Sequence, residues 1–181
     1  MNDNRFYVVT GVSGAGKTTT LRGLSKRGFQ IFPEMASIVG EEERRINPDW
    51  NYKNSYPRFI ESIVRKHRDI EQQNYEAPVF FDRGVIDCLV YCHYDHQYIS
   101  QDLLQACEET KYLKTFLLKP TEPEAKIVGG KTLQQVLTIE SLIEELYSRY
   151  GSNVHTVPAM PVNDRIEFIL NVIKETTYGH A

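Results

Sequence analysis

The sequence predicts an α/β fold in which a five-stranded, mainly parallel sheet is flanked by helices. Two observations carry this prediction. Short apolar runs alternate along the chain with segments whose apolar residues recur at helical spacing. One run, "APVFF" at 77–81, is apolar throughout, as expected of a central parallel strand covered on both faces. A length of 181 residues suits one buried core, so a single domain over 1–181 is expected.

The first elements follow from their local patterns. The run "RFYVVTG" at 5–11 is apolar, aromatic and β-branched, which favours a strand. A helical segment at 17–28 stops at a glycine, a residue favoured just past a helix end. "FQIFPE" at 29–34 indicates a second strand. Between 35 and 57 no pattern dominates, because two prolines interrupt the segment.

The second half of the chain continues the alternation. Its helices are predicted from apolar residues three and four positions apart, and its strands from short apolar runs. In chain order these elements are a helix at about 58–74, a strand at 77–83, a helical stretch, a strand at 112–119, a helix from 133 to about 151, a strand at 153–158 and a helix through 166–173.

Composition limits the classes of partner. The net charge of −3 argues against a broad nucleic-acid surface, and "RKHR" at 65–68 is more simply the solvated face of a helix. No apolar run approaches the roughly 18 residues of a membrane span, and the first residues do not resemble a secretory signal. Three cysteines make a disulfide framework improbable. The expectation is a soluble, cytoplasmic protein with reduced thiols and no nucleic-acid or membrane partner.

The segment "GVSGAGKT" at 11–18 fits the phosphate-binding motif G-x-x-x-x-G-K-[ST], and it lies between a predicted strand and a predicted helix, as the motif requires. Glycines let successive backbone N–H groups approach an anion closely, and the start of the following helix favours negative charge. Lys17 can neutralise the β- and γ-phosphates, and the Thr18 hydroxyl can ligate Mg²⁺. The residues predicted to bind the nucleotide are Gly11, Ser13, Gly14, Ala15, Gly16, Lys17, Thr18 and Thr19. ATP is the expected ligand, and GTP stays open because no Asn-Lys-x-Asp sequence that would read guanine is evident.

Polar residues follow two further strands, and ligands of an open α/β sheet bind at such carboxyl ends. Asp82 can bind Mg²⁺ directly or through water, and Arg83 can reach a phosphate or the substrate. Glu34 can act as general base, or orient the acceptor hydroxyl, for attack on the γ-phosphate. Two simpler interpretations stay open, namely a surface ion pair at Asp82 and Arg83 and a helix cap at Glu34.

These motifs together resemble a known family. The second strand ends in Pro-Glu, the third ends "FFDRG" with Asp87 and Tyr91 following, and the tail reads "HTVPAMPVNDRIEFIL". The combination is similar to the AAA_28-type P-loop proteins, a group that resembles nucleoside and nucleotide kinases and includes the kinase domain of NadR-like ribosylnicotinamide kinases. The resemblance spans most of the chain. It implies a three-layer P-loop NTPase fold of the nucleotide-kinase kind.

The same resemblance implies transfer of a γ-phosphate to a small acceptor. It places Lys17 and Thr18 on phosphate and metal, Asp82 and Arg83 at the end of strand three, and Glu34 near the acceptor. Members usually carry an arginine soon after this glutamate and another in a lid. Here Ser37 stands at the first place, and the predicted lid at about 120–131 offers Lys126 and Lys131 instead. Arg44, Arg45 and Arg149 are the candidates to take the place of these arginines.

Two further groups of residues have two interpretations each. Trp50, Tyr52, Tyr56 and Phe59 can stack on the ring of an acceptor, or can pack an irregular segment. Cys88, Cys92, His93 and His96 are close enough in sequence to suggest zinc, but core thiols explain the cysteines more simply.

The sequence therefore predicts a Mg-ATP-dependent small-molecule kinase that acts on a nucleoside, nucleotide or nucleoside-like acceptor. Two alternatives stay open. One is a slow ATP or GTP hydrolase or nucleotide-dependent switch, which the missing lid arginines favour. The other is a regulatory protein that binds a nucleotide without catalysis.

Overall fold

The computed structural model describes residues 5–120 and 130–178, and it contains the predicted parallel sheet. The strands are β1 Phe6–Thr10, β2 Gln30–Phe32, β3 Val79–Asp82, β4 Tyr112–Leu118 and β5 Asn153–Val157. They lie in the order β2-β3-β1-β4-β5, and every neighbouring pair is parallel. The five strands predicted from the sequence are thus confirmed, with shorter bounds.

Seven helices connect and follow the strands in the described residues. They are α1 Lys17–Ser25, α2 Met35–Ile46, α3 Tyr56–Glu71, α4 Val85–Tyr94, α5 Gln101–Glu109, α6 Leu133–Arg149 and α7 Val162–Tyr178, with a 3-10 turn at Tyr52–Ser55. None of these helices has the combination of length and apolar character that crossing a bilayer requires.

Helix α2 is the element that sequence periodicity did not predict. It occupies the segment in which no pattern dominated, and only Met35, Val39 and Gly40 are buried along its length. Ala36 and Ile38 are partly buried and pack against the same core, so the core-facing apolar residues lie within the first five positions of the helix. A pattern little longer than one turn is too short to predict a helix. Its outer face pairs with α3 through an ion pair of 2.9 Å between Lys66 and Glu42.

The chain reverses direction across the sheet after its second strand. The connection from β1 leads outward to β2, whereas the connections from β2, β3 and β4 all lead back across the sheet. With right-handed crossovers, α1 lies on one face and α3 to α6 lie on the other. Because β1 and β3 are neighbours whose connections leave to opposite faces, a crevice opens at their carboxyl ends.

Aromatic residues fill the core on both faces of β3. Phe80 lies at ring distances of 5.2 Å from Tyr7 and 5.3 Å from Phe29 on one face. Phe81 lies 5.5 Å from both Phe6 and Phe32 on the other face. Successive residues of a strand point to opposite faces, so these two phenylalanines anchor β3 from both sides and fix the position of the residue that follows them.

Burial on β4 predicts a large difference between two leucines of the same strand. Leu117 is fully buried, whereas Leu113 is 44% exposed. We expect Leu117→Ala to lower the free energy of unfolding by about 2–5 kcal/mol, because it removes packed methyl groups and leaves a cavity. Leu113→Ala is the matched control and should cost less than about 1 kcal/mol. Urea denaturation of both variants tests this, and equal losses would contradict the burial assigned to the strand.

Candidate active site

Two glycines of the loop between β1 and α1 have positive φ values and close neighbours that disfavour any side chain. Gly11 has φ of 130°, and a Cβ there would lie 2.6 Å from the Leu118 carbonyl oxygen. Gly16 has φ of 87°, and a Cβ there would lie 2.6 Å from Nη1 of Arg165. The loop is therefore wedged between β4 on one side and α7 on the other.

The other predicted loop residues lie around the start of α1. Ser13, Gly14, Thr18 and Thr19 are exposed, and Ala15 is buried. Helix α1 begins at Lys17, so the N–H groups of its first turn have no partner within the helix. Exposed N–H groups at the positive end of a helix are suited to binding an anion.

Lys17 is buried and folds back over the loop. Its Nζ donates to the Gly11 carbonyl at 3.0 Å and to the Val12 carbonyl at 2.9 Å. Burial, and secondarily the charge of Arg83, lower the pKa of Lys17 to about 8. Phosphate oxygens are stronger acceptors than carbonyls, so an anion at the loop would compete for this ammonium group.

Asp82 and Thr18 meet at the ends of β3 and the loop. Asp82 pairs in register with Val9 of β1, and the Thr18 hydroxyl donates to its Oδ2 at 3.4 Å. Its Oδ1 is buried and accepts no hydrogen bond, and burial raises the pKa of this carboxyl group. An unpaired carboxylate oxygen beside a hydroxyl suits Mg²⁺, which binds one or two protein groups and completes its shell with water and phosphate.

A Mg²⁺ site of this kind does not require a cluster of three or more protein ligands. Within residues 5–120 and 130–178, no group of three or more His, Cys, Asp or Glu side chains is arranged to hold an ion. Cys88 and Cys92, which the zinc hypothesis named, are buried and form no disulfide. The same holds for Cys107. Burial raises the pKa of Cys92 to about 11 and that of Cys107 to about 12, so both are thiols at neutral pH.

Arg83 holds an unusual backbone conformation that its side chain secures. Its φ is 66°, a left-handed value that costs a non-glycine residue on the order of 1–3 kcal/mol. Its Nε donates to Glu34 at 2.7 Å, its Nη1 donates to Asp87 at 3.3 Å, and its guanidinium lies 5.3 Å from the Tyr91 ring centre. The side chain is only 12% exposed. Arg83 is therefore a largely buried residue that contacts several side chains, and not part of a surface ion pair.

Glu34 lies at the N-cap of α2, but its carboxylate does not cap the helix. One oxygen accepts from Arg83, and the other accepts from the Ser37 hydroxyl at 2.9 Å. The side chain keeps 35% of its surface exposed. The structure thus favours a carboxylate that is oriented by two donors and still reachable by a ligand over the helix-cap alternative.

Asp87 joins more elements of the site than any residue singled out from the sequence. Its Oδ1 accepts from the Thr10 hydroxyl of β1 at 2.6 Å. Its Oδ2 accepts from the Tyr147 hydroxyl of α6 at 2.6 Å and from the Gly84 N–H at 3.0 Å. Sequence reasoning noted Asp87 only within the family motif. Its position four residues after Arg83 on a predicted helix was the available signal.

A cavity of about 250 Å³ opens where Glu34 and Arg83 meet. Tyr52, Tyr56 and Phe59 lie in its wall, whereas Trp50 packs behind Phe59 at a ring distance of 5.5 Å. Three of the four aromatic residues therefore face a cavity, and the fourth packs the segment. The exposed surface of the cavity is predominantly apolar, and its charged lining residues include Glu34, Arg83 and Asp87.

A second cavity, of about 400 Å³, adjoins the other side of the loop. Arg165 borders it and is 2% exposed. Nε of Arg165 donates to the Met160 carbonyl at 2.8 Å, and Nη1 donates to the Ala15 carbonyl. Burial lowers the pKa of this guanidinium, and its Nη2 is buried without a partner. Sequence reasoning missed this role, although Arg165 shares a helical face with Ile169 and Ile173.

The cations proposed to replace the missing arginines are not brought to the loop. Arg44 and Arg45 lie in the last turn of α2, about 15 Å along its axis from Glu34. Arg149 ends α6, where it pairs with Glu145 at 2.7 Å. Lys131 lies 5.9 Å from the Tyr94 ring centre. Lys126 and most of the predicted lid lie outside the described residues.

The arrangement of strands, loop and helices matches solved kinase structures. A deoxyadenosine kinase from M. mycoides, with the products dCMP and a flexible dCDP bound, matches with a TM-score of 0.65 at 18% identity, over 94% of this chain and 99% of that one. A thymidylate kinase from Ehrlichia chaffeensis matches with a TM-score of 0.64 at 14% identity, over 94% and 98%. The YorR protein of Bacillus subtilis, in complex with phosphorylated GDP, matches with a TM-score of 0.61 at 16% identity, over 97% and 99%. This protein therefore has the three-layer α/β fold of P-loop nucleoside and nucleotide kinases, as the sequence predicted.

The sequence also shows the family. The AAA_28 family, described as an AAA domain, matches residues 6–165, which is most of the chain. The chain belongs to this family, as its motifs indicated. A search of curated proteins gives no match.

The lowered pKa of Lys17 predicts a pH dependence of ATP binding. Lys17 is mostly charged below its pKa of about 8 and mostly neutral above it. Phosphates pair with the charged form, so binding at higher pH must be accompanied by proton uptake. We expect the ATP dissociation constant to rise above the pKa by up to about tenfold per pH unit.

Calorimetry with Mg-ATP between about pH 7 and about pH 9.5, in buffers of different ionisation enthalpy, measures both affinity and proton uptake. Lys17→Arg is the control, because an arginine stays charged throughout this range and should remove the pH dependence. An affinity of the unmodified protein that is constant with pH would contradict the prediction.

The hydrogen bonds of Asp87 predict the effect of removing one hydroxyl. Tyr147→Phe removes a hydroxyl that donates to the buried Asp87 carboxylate and accepts from the Gly84 N–H, and it leaves these two groups bonded to each other. We expect the free energy of unfolding to fall by about 1–3 kcal/mol. Tyr150→Phe on the same part of the chain is the control, since its hydroxyl makes neither bond. A cost for Tyr147→Phe no larger than that of the control would show that the network is not stabilising.

Proposed function

We propose that this protein is a Mg²⁺-dependent kinase that transfers the γ-phosphate of ATP to a hydroxyl group of a nucleoside, nucleotide or nucleoside-like acceptor. The observation that carries the proposal is the position of Glu34 and Arg83 in the wall of a cavity beside the phosphate-binding loop. A carboxylate near Lys17, and an adjoining cavity for a second molecule, are what phosphoryl transfer requires in addition to nucleotide binding. The family and the fold support the nucleotide-binding half of the proposal.

On the donor side, the loop N–H groups and Lys17 bind the β- and γ-phosphates of ATP. Lys17 exchanges its two carbonyl contacts for phosphate oxygens, so that its charge faces the transferred group. Thr18 and Asp82 are the residues that would hold Mg²⁺, since their oxygens adjoin and Asp82 Oδ1 is unpaired. Bound Mg²⁺ would neutralise charge that develops on the phosphate oxygens.

On the acceptor side, Glu34 receives the proton of the acceptor hydroxyl. A bond forms between that oxygen and the γ-phosphorus, while the bond from this phosphorus to the β–γ bridging oxygen breaks. ADP leaves with the electron pair of the broken bond. Arg83 orients Glu34 through Nε, and it contributes positive charge beside the transferred group.

We keep the single domain and the lid at about 120–131 as parts of this proposal. Lysines from the lid, Lys126 and Lys131, would add positive charge over the transferred phosphate. Lysine provides charge but not the planar fork with which arginine fits two phosphate oxygens. We therefore expect slower transfer than an arginine at the same place would give.

One observation favours a second candidate, a slow ATP or GTP hydrolase or nucleotide-dependent switch. In the part of the chain that the structure describes, Arg83 is the one arginine in the cavity wall, and Glu34 and Asp87 already hold it. A regulatory protein without catalysis is the third candidate. The three differ in ADP release, which depends on an acceptor for a kinase, is independent of one for a hydrolase, and does not occur for a purely regulatory protein.

The experiment that tests the proposal measures ADP formation from Mg-ATP by the purified 181-residue chain. The acceptors are nucleosides, nucleoside monophosphates and ribosylnicotinamide, and Lys17→Ala is the control. We expect one acceptor class to raise the rate of ADP formation, and the increase to disappear in the control. ATP binding without any acceptor-dependent release would overturn the kinase proposal in favour of the other two candidates.

Glu34→Gln tests the role assigned to the carboxylate. We expect kcat to fall by about 10²–10⁴-fold with little change in ATP affinity, because the amide cannot accept the proton. Glu41→Gln is the matched control, since Glu41 is exposed on the same helix, and it should leave both constants unchanged. Equal losses of turnover and ATP affinity in Glu34→Gln would rule out the proposed role.

A further inference from the structure

The wall of the acceptor cavity carries an excess of negative charge. Among the described residues that line it, Glu34, Asp87 and Asp95 are acidic, and Arg83 is the only arginine or lysine. His67 is the one further lining side chain there that could carry a positive charge. The wall stays net negative with His67 in either form. An anionic acceptor would therefore enter against the field of the wall.

Two of the three guanidinium nitrogens of Arg83 already donate to carboxylates. Its Nε is engaged by Glu34 at 2.7 Å and its Nη1 by Asp87 at 3.3 Å, and one face of the guanidinium is covered by Tyr91. Arginine recognises a phosphate by presenting two N–H groups to two oxygens. A phosphate at this place would have to displace a carboxylate from Arg83 and leave that carboxylate partly buried without its partner.

The remainder of the wall suits a flat, weakly polar group. Tyr52, Tyr56 and Phe59 lie together in the wall. Ile60 and Ile63 of α3 also line the cavity. Ring centroids of Tyr52 and Phe59 are 5.7 Å apart. Aromatic and aliphatic side chains in this arrangement stabilise a planar ring by apolar contact and stacking.

We propose that the acceptor is an unphosphorylated, neutral or cationic nucleoside-like molecule, and that the cavity excludes nucleoside monophosphates. The inference rests on the proposed function and names its substrate class. The acceptor hydroxyl lies at Glu34 and its ring lies against Tyr52 and Phe59. A phosphate group at the Glu34 end would meet a carboxylate and an arginine that is already paired.

The test compares equilibrium binding of nucleosides and of their 5′-monophosphates to the 181-residue chain. The probes are adenosine with AMP, cytidine with CMP, guanosine with GMP and uridine with UMP. Calorimetry measures affinity, and the emission of Trp50, the single tryptophan, provides a second readout because it packs behind Phe59 of the cavity wall. We expect at least one nucleoside to bind about tenfold or more tightly than its monophosphate. The reason is the repulsion between the dianionic phosphate group of the monophosphate and the Glu34 carboxylate.

A pair of variants at Ser37 separates charge from size. Ser37 is exposed and contacts the Glu34 carboxylate. Ser37→Arg adds a free cation beside Glu34 and should narrow the preference for nucleosides by about tenfold or more. Ser37→Gln adds a long neutral side chain and should leave that preference unchanged. An equal change in both variants would overturn the electrostatic explanation.

The outcomes distinguish this inference from the proposed function. A nucleoside that binds selectively without ADP formation supports the inference and contradicts the kinase activity. A monophosphate that binds as tightly as its nucleoside, or that alone stimulates ADP formation, overturns the inference and leaves the kinase activity in place. Absence of binding by every nucleoside and every monophosphate, ribosylnicotinamide included, also overturns the inference.

Discussion

The acidic group on which the site depends most is Asp87. One carboxylate accepts hydrogen bonds from β1, from the turn that begins α4 and from α6, and it also pairs with Arg83. β1 and α6 are far from Asp87 in sequence, and this one buried carboxylate bonds to both. A buried carboxylate is costly unless its oxygens are satisfied, so the surrounding groups are bound to a narrow range of positions. Arg83 keeps its left-handed backbone within this arrangement.

A second constraint is that two of the cations near the loop, Lys17 and Arg83, already have partners within the protein. Lys17 donates to carbonyls of its own loop, and Arg83 donates to Glu34 and Asp87. Lys17 exchanges neutral acceptors for charged ones when an anion binds, which is favourable. Arg83 would exchange charged partners for charged partners, which gains little. The two cations therefore differ in their availability to a ligand, although each lies beside the crevice.

The parts of the site that sequence predicted are those that local chemistry defines. The phosphate-binding loop is contiguous, and its glycines have the positive φ values that its geometry requires. Asp82 and Glu34 were found because parallel strands end at the same edge of a sheet. Tyr147 and Arg165 were not found as partners of the site, because their contacts to it span 60 and 150 residues of sequence. Asp87 had a local signal in its spacing from Arg83, but its bond to Thr10 spans 77 residues. Helix α2 was missed for a different reason, since its core-facing apolar residues are confined to its first five positions and charged residues follow them.

The sequence by itself determined the alternation of strands and helices, the parallel sheet, the loop motif and the family. Each of these depends on spacing along the chain or on the conformational range of single residues. Only the tertiary structure decided which charges pair, namely that Glu34 holds Arg83 and does not cap a helix, and that Arg44 and Arg45 lie far from the loop. Charge pairing depends on distances of a few ångströms between side chains remote in sequence. Such distances are determined by the packing of the sheet and its helices and not by any local pattern.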